Sequence, residues 1–178
     1  MTAARDEVVR QEMIALLPRL RRFALVLTRS AADADDLVQA TCERAIARLD
    51  GWVWGTALDR WLFKIAHNLH RNQLRDDANR SRLLQEHAAD PNLFPAGAAD
   101  AELWTMLHEV RRALLRLPDE QRAVLVLVAI EGLAYRDVAE VLGVPIGTVT
   151  SRLARAREAM RSAFATAETK MPGLETAP

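Results

Sequence analysis

Apolar residues recur along most of this chain at spacings of three and four, the period of a helix, and nowhere in the sustained alternation of a strand. No Asn-Gly or Asp-Gly pair lies between β-branched runs, so hairpin signals are missing too. A first helix is expected from about Glu7 to Thr28, with Ile14, Leu17, Leu20, Ala24 and Leu27 along one side and with Pro18 bending or dividing it. Ser30 or Asp33 can cap a second helix reaching Leu49, on which Val38, Cys42, Ala45 and Leu49 fall inward. Gly51 to Thr56 reads as a loop carrying Trp52 and Trp54. A third helix follows from about Ala57 past Leu74, with Trp61, Leu62, Ile65 and Leu69 as its core stripe.

The pattern then lapses. Between residues 86 and 101, Pro91, Pro95 and Gly97 stand among small and acidic neighbours, which reads as a linker. Beyond it come a helix from about Ala101 to Arg116, a break at Leu117-Pro118-Asp119, a helix from about Glu120 to Glu131, and a tight helix pair. The expected fold is all-α with two small helical domains. They span 7–85 and 102–163, joined by a flexible linker over 86–101 and followed by a flexible tail over 164–178.

The closing pair, Tyr135 to Arg161, reads as a helix-turn-helix. Val138, Ala139 and Leu142 give a short helix its apolar face, Gly143 suits a left-handed turn, Val144 points inward and Pro145 can start the next helix. There Val149, Leu153, Ala156 and Met160 recur on one side. The opposite side presents Gly147, Thr148, Thr150, Ser151, Ala154 and Arg155, flanked by Arg152 and Arg157. Hydroxyls and arginines opposite an apolar stripe suit a helix lying in a DNA major groove. A helical hairpin with a solvated basic face would carry the same pattern.

Net charge changes the picture only once it is resolved along the chain. The total is zero, yet residues 1–85 carry 14 basic and 11 acidic side chains, residues 86–103 carry none and 4, and residues 104–178 carry 10 and 9. Two mildly basic blocks therefore flank an acidic connector. No stretch approaches the roughly 18 uncharged apolar residues of a membrane span, and the polar, acidic start is unlike a secretion signal, so a cytoplasmic protein is expected. The single Cys42 excludes an internal disulfide and reads as a small buried hydrophobe. His67 and His70 lie one turn apart without a third ligand, so they read as surface or DNA-adjacent histidines and no metal is expected. There is no phosphate-binding loop, nucleophile elbow or paired carboxylate site, hence no catalytic residue and no cofactor.

The first domain narrows the reading. On 33–49 an acidic and polar strip, Asp36, Gln39 and Glu43, runs beside the apolar stripe and offers a protein-docking face. On 59–75, Asn68 and Asn72 stand among Lys64, Arg71 and Arg75, a mixture suited to base edges and phosphates of unpaired DNA.

At this point the chain resembles the extracytoplasmic-function (ECF) sigma factors of bacterial RNA polymerase. LPRLRRFALVLTRSAADADDLVQATCERA is similar to the first two conserved regions of that family, and GTALDRWLFKIAHNLHRN to its promoter-melting, minus-ten-reading helix. The stretch from Leu114 through LPDEQRAVLVLVAIEGLAYRDVAEVLGVPIGTVTSRLARAREAMR is similar to its minus-thirty-five-reading domain. The resemblance spans about residues 14–161.

It implies that Asp33, Asp36, Gln39 and Glu43 dock on the β′ clamp helices of core polymerase, and that the β flap is a second contact. It implies that Asn68 and Asn72 read a flipped minus-ten base while Lys64, Arg71 and Arg75 hold the strand. It assigns the minus-thirty-five element to Thr148, Thr150, Ser151, Ala154 and Arg155, with Arg152 anchoring phosphate. It also implies promoter DNA and an anti-sigma protein as partners, and a role in a stress or envelope response. Leu58 and Ala154 depart from the family pattern, which often has an aromatic and a bulkier side chain there. Trp52 and Trp54 either help to hold the flipped base or fill the core. Two other readings stand beside this one: a dimeric helix-turn-helix regulator that reads a palindrome, and a sigma-like decoy that sequesters an anti-sigma protein.

Overall fold

The computed structural model describes residues 2–80 and 101–169, with side chains from Glu7 to Asp76 and from His108 to Ala165. Every regular element among them is helical. A first body holds α1 (Thr2–Thr28), α2 (Ala31–Ala47), a 3-10 turn (Leu49–Gly51) and α3 (Leu58–Arg80). A second holds α4 (Ala101–Arg116), α5 (Asp119–Ala129), α6 (Tyr135–Leu142) and α7 (Ile146–Thr169). The expected linker lies, save for Ala101, outside the described residues. The second body outruns its expected end, because α7 continues through alanine-rich sequence, a strong helix former, to Thr169.

In the first body α2 packs against both α1 and α3. That position explains why its buried residues, Ala34, Leu37, Thr41 and Ala45, form an arc turned from the expected stripe, leaving Val38 and Cys42 half-buried. Thr41, polar and fully buried, donates its hydroxyl to the Leu37 carbonyl at 2.7 Å. Burial, with the charge of Glu43 adding to it, pushes the Cys42 thiol upward. From α1 the core takes Val9, Met13, Leu20, Phe23, Ala24 and Leu27; Ile14, expected inward, is exposed. Pro18 does not divide α1. The carbonyl it leaves without a donor, that of Ile14, belongs to a residue on the solvent face, so no buried hydrogen bond is lost. Phe23 meets Phe63 of α3 edge to face, with centroids 5.2 Å apart.

A tight corner joins α1 to α2. Arg29 takes φ +62°, and Ser30 caps α2 by accepting the Asp33 N–H at 3.3 Å. In the second body α6 ends at Gly143, φ +65°. The Val144 N–H there turns back to the Ala139 carbonyl at 3.1 Å, a standard way of closing a helix at glycine. Val138 and Leu142 on α6 interlock with Val149, Leu153 and Ala156 on α7, all buried.

The two bodies share a seam in which α1 meets α5 and α3 meets α6, so that one apolar core runs through both. Arg122 of α5 lies at its centre, wholly buried. Its guanidinium donates to the Val26 carbonyl at 2.6 Å and the Leu27 carbonyl at 3.4 Å, near the C-terminal end of α1. It also donates to the Leu117 carbonyl at 2.8 Å and to Asp119 at 2.6 Å. A cation at the negative end of a helix dipole is well placed. Arg29 joins Asp119 at 2.7 Å. Burial opposes it, yet the guanidiniums of Arg122 and Arg29 hold the Asp119 carboxyl below the usual range. Glu131, its side chain fully buried, accepts from Arg19 at 2.7 Å and Arg22 at 3.3 Å, and Arg60 pairs with Asp137.

Candidate nucleic-acid interface

The residues expected to touch DNA and polymerase fall into three groups. On α3, Lys64, Asn68 and Asn72 follow one another at four-residue steps, with Arg71 and Arg75 on the neighbouring row, and all five are exposed. Asn68 and Asn72 line a hollow with Ile65 and Leu69 at its apolar part, with Arg44 from α2 and with Arg48, the residue that caps α2. These two arginines are new to the site. Their signal in the sequence is a pair of cations four apart, whose place beside the asparagines depends on how α2 crosses α3.

Charge pairing separates this corner from the rest of the first body. Arg10, Arg19, Arg21, Arg22, Arg29 and Arg60 all form ion pairs. Among the described residues Arg44, Arg48, Lys64, Arg71 and Arg75 form none. Cations with no ion-pair partner among the described residues remain available to an outside anion.

The second group lies on α7. Burial of Val149, Leu153 and Ala156 leaves Gly147, Thr150, Ser151, Ala154 and Arg155 exposed and Thr148 half-buried. Thr150 donates its hydroxyl to the Ile146 carbonyl at 3.1 Å and Ser151 to the Thr148 carbonyl at 3.1 Å, so each oxygen keeps lone pairs outward. Arg152 is turned away from this face: it is half-buried and paired with Glu120.

The third group is on α2. Asp33, Asp36, Gln39 and Glu43 are exposed, and Gln39 donates to Glu43 at 3.0 Å.

One expectation needs correction. His67 and His70 are not surface residues: His70 is buried and His67 half-buried, because the second body covers them. They line a cavity on the seam together with Leu27, Arg71, Asp119, Leu142 and Arg152, among others. Burial first, then the charges of Arg71, His70 and Arg152, push the His67 imidazole down to about 4; burial is also the main cause that lowers His70. The tryptophans divide. Trp52 is buried against Trp61, with centroids 6.4 Å apart, and is core, whereas Trp54 is exposed with its ring edge-on to Trp52 at 5.6 Å. Among the described residues no group of histidine, cysteine and carboxylate side chains could hold a metal ion.

A helix-turn-helix with a polar, cationic outer face, packed on a second helical body that displays exposed asparagines among cations, is the geometry of a DNA-binding protein. Comparisons with known proteins narrow the class. Residues 107–160 match the family "Sigma-70, region 4" and residues 13–67 the family "Sigma2 domain of PhyR". The chain is 39% identical over 155 residues to the ECF RNA polymerase sigma factor EcfG of Rhodopseudomonas palustris, covering 84% of this chain and 81% of that one. It is 36% identical over 141 residues to SigM of Mycobacterium tuberculosis, covering 78% and 68%. In structure it matches the sigma factor RpoE of Bartonella quintana, solved in complex with the anti-sigma factor NepR. The TM-score is 0.77 at 31% identity, over 89% of this chain and 98% of that one.

The chain therefore belongs to the ECF sigma factors, a family of transcription initiation factors that are not enzymes. Its fold is the expected pair of helical sigma regions.

Proposed function

We propose that this chain leads core RNA polymerase to promoters by holding DNA at two places. Asn68 and Asn72 read an unpaired minus-ten base while Lys64, Arg71 and Arg75 hold its strand. Thr148, Thr150, Ser151, Ala154 and Arg155 read the minus-thirty-five duplex. Asp33, Asp36, Gln39 and Glu43 dock on the polymerase clamp. The observation that carries this reading is the exposed pair of asparagines set in a group of cations that have no ion-pair partner among the described residues. Opening the duplex then needs no chemistry, since affinity for the melted strand draws the equilibrium over.

The closed packing bears on how this works. Elements near minus ten and minus thirty-five lie about 25 base pairs apart, roughly 85 Å of duplex at about 3.4 Å per step. In the closed chain Arg71 and Arg152 line a single cavity. Contact with both elements at once therefore requires the bodies to part, and Arg152 must leave Glu120 before it can anchor a phosphate. The closed arrangement is the resting one in this reading. An anti-sigma protein, as NepR is for RpoE, would act by holding the chain away from polymerase. The chain works in the cytoplasm, and among the described residues no helix is long and apolar enough to cross a membrane.

Run-off transcription with purified core polymerase on a genomic fragment library tests the proposal: discrete start sites are expected from the wild type and none from an Asn68→Ala/Asn72→Ala chain. A chain that fails to associate with core polymerase sinks it. The match to a PhyR domain keeps the decoy reading in view; a decoy would bind an anti-sigma protein yet direct no transcript.

A further inference from the structure

The seam holds a cavity of about 320 Å³ to which the promoter reading gives no role. Its walls come from five helices of both bodies, so it exists only while they are packed together. Leu27, Leu142 and Val144 give it an apolar side. Its carboxylates are already engaged: Asp119 accepts from Arg29 at 2.7 Å and from Arg122 at 2.6 Å, and Glu120 pairs with Arg152. The Arg71 guanidinium, by contrast, has no ion-pair partner among the described residues. In the same walls stand two imidazoles, each with a buried ring nitrogen that meets no hydrogen-bond partner: Nδ1 of His67 and Nε2 of His70, a residue only 7% exposed. Buried polar atoms left without a partner are costly and rare. Burial, chiefly, holds both rings below the usual histidine range, so at pH 7 each is neutral and keeps one N–H to donate.

We infer that the seam cavity binds a small amphipathic carboxylate, its head on the Arg71 guanidinium and the two imidazoles, its apolar body against Leu27, Leu142 and Val144. The guanidinium fork matches a carboxylate with two parallel N–H donors. One unmatched cation calls for one negative charge, which favours a monocarboxylate over a phosphate dianion. The cavity lies at the low end of the ligand-pocket range of about 300–1,000 Å³, so the body is short, roughly eight carbons or one ring. Because the walls belong to both bodies, such a ligand is held by the closed chain and lost from the parted one. It occupies Arg71 and keeps Arg152 on Glu120, withdrawing both from DNA. Resting on the promoter reading for this consequence, the ligand is an antagonist that draws the chain toward its closed form by mass action.

The test titrates octanoate into the full chain and follows the ring signals of His67 and His70 by NMR. Saturable shifts are expected with a Kd on the order of 1 mM or tighter, the range open to about ten non-hydrogen atoms. Octanamide, alike in shape but neutral, should bind at least roughly tenfold more weakly. Arg71→Ala should lose roughly tenfold in octanoate affinity and leave octanamide unchanged. Arg75→Ala removes the same charge from an exposed position on α3 outside the cavity and should bind octanoate like the wild type. Octanoate at about ten times its Kd should weaken equilibrium association with core polymerase by up to about tenfold. No saturable shift up to about 20 mM would overturn the inference. So would equal binding of octanoate and octanamide, or equal losses in the two arginine variants, since either removes the anion from the argument. Binding that leaves polymerase association untouched would overturn the antagonist role. Failure of the underlying sigma reading shows separately, as a wild-type chain that does not bind core polymerase without octanoate.

Discussion

Mild acid should loosen the closed arrangement through one residue, His67. Its imidazole titrates near 6.5 when free and at about 4 in the folded chain, chiefly because the second body removes it from water. Arg71 and His70 on its own helix and Arg152 on α7 add to the effect, while Asp119 and Glu120 of α5 border the same cavity. Above pH 6.5 the ring is neutral in both states and contributes no pH dependence. Below 6.5 the unfolded chain takes up a proton that the folded chain refuses, so stability falls with pH until about 4. Between pH 7 and pH 5 the linkage relation gives a loss of about 2 kcal/mol. Solvent reaches part of the ring, which trims the figure to roughly 1–1.5 kcal/mol.

Urea unfolding of the wild type and of His67→Gln at the two pH values isolates the residue, since glutamine keeps polarity without titrating. The carboxylates are present in both chains and largely cancel, and His70 remains in both. The wild type should lose roughly 1 kcal/mol more than the variant on acidification. Parallel losses in the two chains would refute the assignment and the burial behind it.

Other changes test the rest of the molecule. Asn68→Ala and Asn72→Ala should leave the melting temperature within about a degree of wild type, because exposed positions contribute little to stability. Open-complex formation on a linear template should fall at least several-fold, as permanganate footprinting would report. Arg155→Ala should weaken a duplex carrying the upstream element by about 1–3 kcal/mol in the holoenzyme and relax sequence preference there, as measured by competition titration. Gly143→Val places a β-branched residue at φ +65° and should cost about 1–3 kcal/mol by urea unfolding, whereas Gly143→Asn should cost less.

Local patterns carried the helices and the helix-turn-helix. Gly143 marks its own turn, and the stripe from Val149 to Met160 fixes which side of α7 faces inward, because both depend on neighbours within two helical turns. Ile14 and the arc on α2 show where local pattern stops: two helices flank α2, so a broad surface is buried where a narrow stripe is expected. His67 and His70 were beyond reach, since what covers them comes from Leu142 and Val144, more than seventy residues along the chain. Arg122 reads as one cation in an apolar run, and only the carbonyls at the end of α1 explain it. Arg44 and Arg48 are visible as a basic pair, yet only the crossing of α2 and α3 brings them beside Asn68 and Asn72.

The acidic strip on α2 stays uncovered while the second body sits on the opposite flank, formed by α1 and α3. If the proposed docking on this strip holds, an arriving polymerase lands at once, without waiting for any internal rearrangement. Its first encounter should be fast and weakened by salt, followed by a slower unimolecular phase as the molecule swings apart. Only after that second phase are the two gripping surfaces far enough from each other to straddle a promoter, so a stopped-flow trace should show two relaxations, only the first of which varies with polymerase concentration.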